Sequence, residues 1–107
     1  MNTHHLSPMS KLEIVINGDD VASIDAVLRA SGAVGYTVLG SVAGLGHSGF
    51  HQGSLYFNDR DTQRMVVCVV AEDRVDGVVE ALREFFRTHA GVLFVSPTFV
   101  SRPEYFQ

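Results

Sequence analysis

Apolar residues in this chain recur with two periods, and the changes of period mark out its elements. "KLEIVI", Lys11 to Ile16, is a short β-branched run after a Pro/Ser stretch and predicts the first strand. "NGDD" interrupts it, and Asp19 or Asp20 can cap a following helix by accepting from its free N–H groups. Val21, Ile24, Val27 and Leu28 then fall at helical spacing, with Gly32 as the left-handed stop. "YTVLGSVAG" suits a strand, and Gly40 inside it predicts a bulge or a close backbone approach. Ser54–Phe57 reads as a short strand and "NDRD" as a turn. "RMVVCVVA", Arg64–Ala71, is a nearly unbroken apolar run and predicts a central strand buried on both faces. Val75, Val78, Val79, Leu82 and Phe86 return to helical spacing, bounded by Asp73 and Gly91. Val92–Ser96 predicts the last strand, stopped by Pro97, and "TFVSRPEYFQ" is partly extended.

The order is β-α-β-β-α-β, the split β-α-β or ferredoxin-like pattern of an α+β fold. It implies one antiparallel sheet with both helices on one face. Apolar residues on both sides of the Arg64–Ala71 strand predict that the other face is covered too, and a second copy of the chain is the simplest cover. The opening "MNTHHLSPMS" has neither the basic start nor the apolar stretch of a signal peptide. Residues 1–10 therefore read as a loose tail and residues 11–107 as the domain.

Charge narrows the partners. The chain has 107 residues, 46% hydrophobic and 19% charged, with a net charge of −4. That composition fits a single folded domain and argues against nucleic acid or an anionic membrane surface, since no Lys/Arg stripe exists. The single cysteine, Cys68, sits among apolar residues and reads as a buried, unreactive thiol suited to a reducing cytoplasm. Between Ala30 and Asn58 there is no Asp, Glu, Lys or Arg, yet glycines at 32, 35, 40, 44, 46, 49 and 53 argue against a membrane-spanning helix there.

Candidate chemistry is sparse. No Gly-x-Ser-x-Gly elbow occurs, and adjacency of His47 and Ser48 in a Gly-rich loop does not position a base on a nucleophile. Asp25, Glu72, Asp76, Glu80 and Glu84 fall at caps and on polar helix faces and read as solvated surface. No catalytic constellation emerges, so an enzyme is not expected. His47 and His51 lie four apart, but Gly49 between them opposes a helix that would align them as metal ligands. Gly44, Gly46 and Gly49 offer unhindered N–H groups that can cradle an anion, or simply connect two hairpin strands.

Several stretches resemble one family. "GYTVLGSVAGLG", Gly35 to Gly46, resembles the strand that enters the long T-loop of PII signalling proteins. "VDGVVEALREFF" is similar to their second helix and "VLFVSP", Val92 to Pro97, to their fourth strand, while "KLEIVI" and "RMVVCVVAED" fall where their first and third strands belong. The resemblance spans about Lys11 to Pro97. It implies a ferredoxin-like homotrimer, not an enzyme, that binds adenine nucleotides in the clefts between subunits and changes its T-loop, here about 44–63, to contact a target protein. Carried over, Thr37 contacts the adenine and Gly35 gives it room. Gly44, Leu45 and Gly46 run along the nucleotide, Val69 lines the pocket, and Val38, His47, His89, Gly91 and Arg102 complete the set.

The departures shape the expected ligand. One extra residue lies between Thr37 and Gly44 relative to the family pattern, which places Gly40 in a bulge. The Gly-x-Gly-Asp-Gly-Lys stretch before the last strand is replaced by "RTHAG", Arg87 to Gly91, and the tail keeps one arginine, Arg102. Fewer cations imply AMP or ADP over ATP. These features resemble the divergent PII-like branch linked to bicarbonate transport and carboxysome operons, which implies a partner in inorganic carbon metabolism, such as a bicarbonate transporter. A bicarbonate ion would meet the N–H groups of Gly46, Ser48 and Gly49, with Arg60 or Arg64 nearby. No resident cofactor or metal is expected. The alternative is a metal-responsive trimer of the CutA or heavy-metal-efflux type, drawing on His47, His51 and His89.

Overall fold

The computed structural model of the protein describes residues 5–42, 44–46, 49–51 and 63–107, with 41, 42, 44–46 and 49–51 by backbone alone. In chain order the elements are β1 (Ser7–Asn17), α1 (Val21–Ala30), β2 (Thr37–Val42), β3 (Gly44–Gly46), β4 (Gly49–His51), β5 (Gln63–Val70), α2 (Val75–Phe85) and β6 (Gly91–Val100). The main sheet is antiparallel in the order β2-β5-β1-β6. β3 and β4 form a separate two-stranded ribbon, Gly44 opposite His51 and Gly46 opposite Gly49. The expected strand at Ser54–Phe57 lies outside the described residues.

Period-2 alternation decides which face is buried. Leu12, Ile14 and Ile16 of β1 and Val66, Cys68 and Val70 of β5 are fully or almost fully buried against Ile24 and Leu28 of α1 and Val78, Leu82 and Phe85 of α2. Each of the larger side chains there contributes about 1.5–3 kcal/mol by leaving water. The opposite face carries Val15, Met65, Val67 and Val69, only half-buried, with Leu39, Val92 and Phe94 at 48%, 46% and 57% exposure. The β5 run is thus buried on one face within the chain and half-buried on the other, not enclosed on both as its apolar sequence suggests.

Several expectations are revised. The tail ends earlier than residue 10: β1 starts at Ser7, because β6 runs on to Val100 and supplies partners for the added residues. Pro97 does not stop β6. It sits opposite Ser10 in a strand at the edge of the described sheet, the place where a missing N–H costs least. Asp19 and Asp20 make no side-chain cap; they form a 3₁₀ turn before α1, where their charge still favours the positive helix end. The same holds for Asp73, in the turn Glu72–Arg74 before α2. Gly32 does stop α1, with φ +96°, and Ala33 N–H donates to Leu28 O at 2.9 Å while Gly32 N–H donates to Arg29 O at 3.2 Å. This is a Schellman end, which a glycine satisfies without strain. Arg74 secures it by donating from Nη1 to Gly32 O at 3.1 Å.

Gly91 opens β6 instead of ending a helix. Its φ is +153°, and an added Cβ would lie 2.6 Å from Phe86 Cε1 and 2.7 Å from Val15 O. A backbone oxygen cannot yield, so Gly91→Ala is expected to lower stability by about 2 kcal/mol, several degrees in Tm. Gly77 in α2 has no atom within 4 Å of where a Cβ would stand. Gly77→Ala should therefore raise stability by about 0.5–1 kcal/mol, and differential scanning calorimetry of both variants checks the pair. Burial pushes the Cys68 thiol up to about 11. Native protein should leave Cys68 unlabelled by a thiol reagent at about pH 8, below that value, and unfolding in guanidinium should release one reactive thiol.

Candidate functional site

The chain turns from α1 into β2 through Ala33–Tyr36, a connection without regular structure. Two side chains hold it. Cys68 of β5 donates from Sγ to Gly35 O at 3.4 Å. Tyr36 donates from its hydroxyl to Asp25 Oδ1 of α1 at 2.6 Å, a distance typical of a hydroxyl on a carboxylate. Asp25 is itself held by Arg29 one turn along, whose Nε donates to its two oxygens at 2.9 and 3.0 Å. The Tyr36 and Arg29 hydrogen bonds hold the Asp25 carboxyl below the usual range. Donating to that anion pushes the Tyr36 hydroxyl up, since ionising it would break the bond. Asp25 is therefore more than the solvated surface carboxylate its sequence position suggests. The i, i+4 spacing to Arg29 was a readable signal; the Tyr36 contact, eleven residues away, had none in the sequence.

Gly35 has no atom within 4 Å of where a Cβ would stand. Packing within the chain does not demand a glycine there, and the space beside it is open. Thr37 begins β2 opposite Val67 of β5, and Val69 lies one pleat farther along the same face. Thr37 and Val69 thus share the sheet face that turns away from the helices, next to the open space at Gly35. Val38 is on the opposite face, 39% exposed at the sheet edge. Beyond Leu39 the β2–β5 register shifts: Leu39 pairs with Met65, but Val42 pairs with Gln63. The irregularity lies between Leu39 and Val42, the stretch that contains Gly40, where the sequence predicts a bulge. The Arg64 side chain runs past Gly40, its Nε 3.7 Å from the position a Cβ would take, and its Nη1 donates to Gln63 O at 3.3 Å.

The remaining candidates divide. Gly44, Leu45 and Gly46 form β3, and Gly46 and Gly49 face each other at the end of the ribbon. His47, Ser48 and Arg60 lie outside the described residues, and of His51 only the backbone is described. His89 stacks on Phe85 with ring centroids 4.0 Å apart. Its Nδ1 is 3.0 Å from both Phe85 O and Thr88 Oγ1, which leaves Nε2 as the ring nitrogen a ligand could use. Gly91 is required by packing, as above. Arg102 donates from Nη1 to the Tyr105 hydroxyl at 3.1 Å and lies 5.4 Å from that ring.

These residues do not meet within one chain. Gly35 and Thr37 stand at the β2 edge of the sheet, with Gly44–Gly46 following β2 in the separate ribbon; His89, Gly91 and Arg102 flank or belong to β6 at the other edge. Three strand spacings separate β2 from β6, about 14 Å. Among the described residues no group of three or more His, Cys, Asp or Glu is placed to hold a metal ion, and no helix is long and apolar enough to cross a membrane.

The chain matches the family model of the nitrogen regulatory protein P-II over residues 9–105. No curated protein sequence matches it significantly. Among solved structures it is similar to CPII, a nitrogen regulatory PII-like protein from Thiomonas intermedia K12, bound to ADP, AMP and bicarbonate. The two are 37% identical, with 94% of this chain and 95% of that one covered and a TM-score of 0.87. A CPII structure bound to ADP and bicarbonate gives 33% identity, 95% and 97% coverage and a TM-score of 0.84. A protein of Thermus thermophilus described as PII-like shares the fold at 20% identity, with 95% and 98% coverage and a TM-score of 0.79. On the family match across nearly its whole length, the chain belongs to the nitrogen regulatory protein P-II family.

Proposed function

We propose that the protein is a non-enzymatic, homotrimeric regulator that binds AMP or ADP in preference to ATP in the clefts between its subunits. Bicarbonate is a second ligand, and a change in the T-loop, about residues 44–63, passes the signal to a partner in inorganic carbon metabolism. The observation that carries this reading is the ligand set of the relative, ADP, AMP and bicarbonate, in a protein 37% identical over 94% of the chain. The layout of the chain supports it. The two groups of candidate residues lie on opposite sheet edges, so a single ligand can meet both only where the β2 edge of one copy approaches the β6 edge of another. The apolar face bearing Val92 and Phe94 gives such copies a surface to bury.

In that cleft Thr37 would hydrogen-bond the adenine and Val69 would pack against it. The open space at Gly35 would receive the purine, and the β3 backbone would run along the phosphates. His89 and Arg102 from the neighbouring copy would close the far side. The preference for fewer phosphates follows from charge. Lys11 is the only lysine, and it lies 4.0 Å from Glu13 within the sheet, away from either edge. A missing charge-assisted phosphate contact is worth about 1.5–3 kcal/mol, at least tenfold in affinity. Ligand binding would favour one ordered state of the glycine-rich segment, and the partner would select between states. A small anion would meet the N–H groups of Gly46, Ser48 and Gly49, with Arg64 as a candidate counter-charge. The metal-responsive alternative has less support: among the described residues no group of three or more His, Cys, Asp or Glu is placed to hold a metal ion.

Light scattering should find a particle of three 11.7 kDa chains; a monomer at micromolar concentration would remove the clefts and with them this reading. Titration calorimetry should give ADP binding at least about tenfold tighter than ATP, from the charge argument above, and the reverse order would overturn the ligand assignment. Bicarbonate should change either ADP affinity or the protease sensitivity of residues 44–63; no change in both would remove it as a ligand.

A further inference from the structure

Gly35 and Thr37 border the open space at the β2 edge, but neither is fixed by its own side-chain contacts with the core. Gly35 has the widest backbone freedom of any residue type, and among the described residues β2 pairs in the sheet with β5 only. Left to itself, such a connection fluctuates, and a ligand that needs one geometry must order it on binding. Here the ordering is already done from two sides. Cys68 reaches from the sheet to the Gly35 carbonyl at 3.4 Å, and Tyr36 reaches back to α1, onto Asp25, at 2.6 Å. The helix end is fixed in turn, because Arg29 grips both Asp25 oxygens. Tyr36 therefore sits between the two residues that border the open space, and its side chain points the other way, partly packed on the core.

We propose that Tyr36 and Asp25 are positioning residues for purine recognition: their hydrogen bond, backed by Arg29 and by the Cys68–Gly35 contact, holds the Gly35–Thr37 backbone in the conformation that selects adenine. This inference rests on the nucleotide-binding reading above, and it goes beyond it by placing part of the selectivity in a contact between α1 and the β2 entry that touches no ligand. A hydrogen bond that only stabilised the fold would alter melting without altering which purine is preferred. One that sets the spacing between Gly35 and Thr37 would alter the preference itself.

The test measures ADP and GDP affinities by titration calorimetry for the wild-type protein and for Tyr36→Phe, Asp25→Ala, Asp25→Asn and the Tyr36→Phe/Asp25→Ala double variant. All are measured at a temperature where each variant is folded and unchanged in oligomeric state. Tyr36→Phe keeps the packed ring and loses only the donor. It should weaken ADP about threefold to tenfold and narrow the ADP-over-GDP ratio by a similar factor. Asp25→Ala should do the same, and the double variant should lose no more than either single, the signature of one shared contact. Asp25→Asn retains an oxygen that accepts from the Tyr36 hydroxyl and should restore most of the selectivity. Wild-type ADP binding with an unchanged ADP-to-GDP ratio in Tyr36→Phe and Asp25→Ala would overturn the inference while leaving the nucleotide site standing. Absence of any adenylate binding by the wild-type protein would instead overturn the reading on which it rests.

Discussion

Two helices of ten and eleven residues can cover one face of a four-stranded sheet and no more. That constraint governs the rest of this molecule. The core forms where α1 and α2 meet the even-numbered residues of β1 and β5, and the opposite face is left with valines, Met65, Leu39 and Phe94. Soluble monomers seldom leave such a surface contiguous and bare. Among the described residues, the same economy leaves β2 and β6 at the two edges of the sheet. A fold of this kind leaves an apolar face and two strand edges on which the proposed homotrimer could be built.

Most of this architecture was legible in the sequence, because it depends on period. The helical spacing of Val21, Ile24, Val27 and Leu28 and the apolar run at Arg64–Ala71 fixed element types and order without any tertiary information. Boundaries were less legible where pairing overrides local preference. Pro97 carries a local stop signal, yet a ten-residue ladder with β1 carries β6 through it. Asp19, Asp20 and Asp73 look like caps, but the chain enters both helices through 3₁₀ turns that take their backbone elsewhere.

The candidate site divides along the same line. Gly35, Thr37 and the glycines of β3 were readable as a motif, and the glycine inside β2 was a readable sign of the irregularity between Leu39 and Val42. Gly91 also stood out, but its need for glycine comes from Val15 O and Phe86, a packing demand that no local pattern reveals. Tyr36 and Asp25 were invisible for a related reason. Their contact joins a helix to a loop eleven residues on, and the tertiary fold brings them together. Side chains that act on a site through another residue have no motif of their own.

The register shift between Leu39 and Val42 has a consequence for comparing this chain with others. In a strand each residue alternates in parity, one up and the next down, so a single surplus residue exchanges up for down in everything that follows. Upstream of Gly40, odd-numbered residues of β2 lie across from odd-numbered residues of β5; at Val42 an even-numbered residue does. A gap placed a few positions away in an alignment would leave the sequence match almost unaltered while pairing residues that occupy opposite sides of the ribbon. Equivalence between this chain and a shorter homologue across that point is therefore a matter of geometry, because letter-by-letter matching does not fix which side a residue takes.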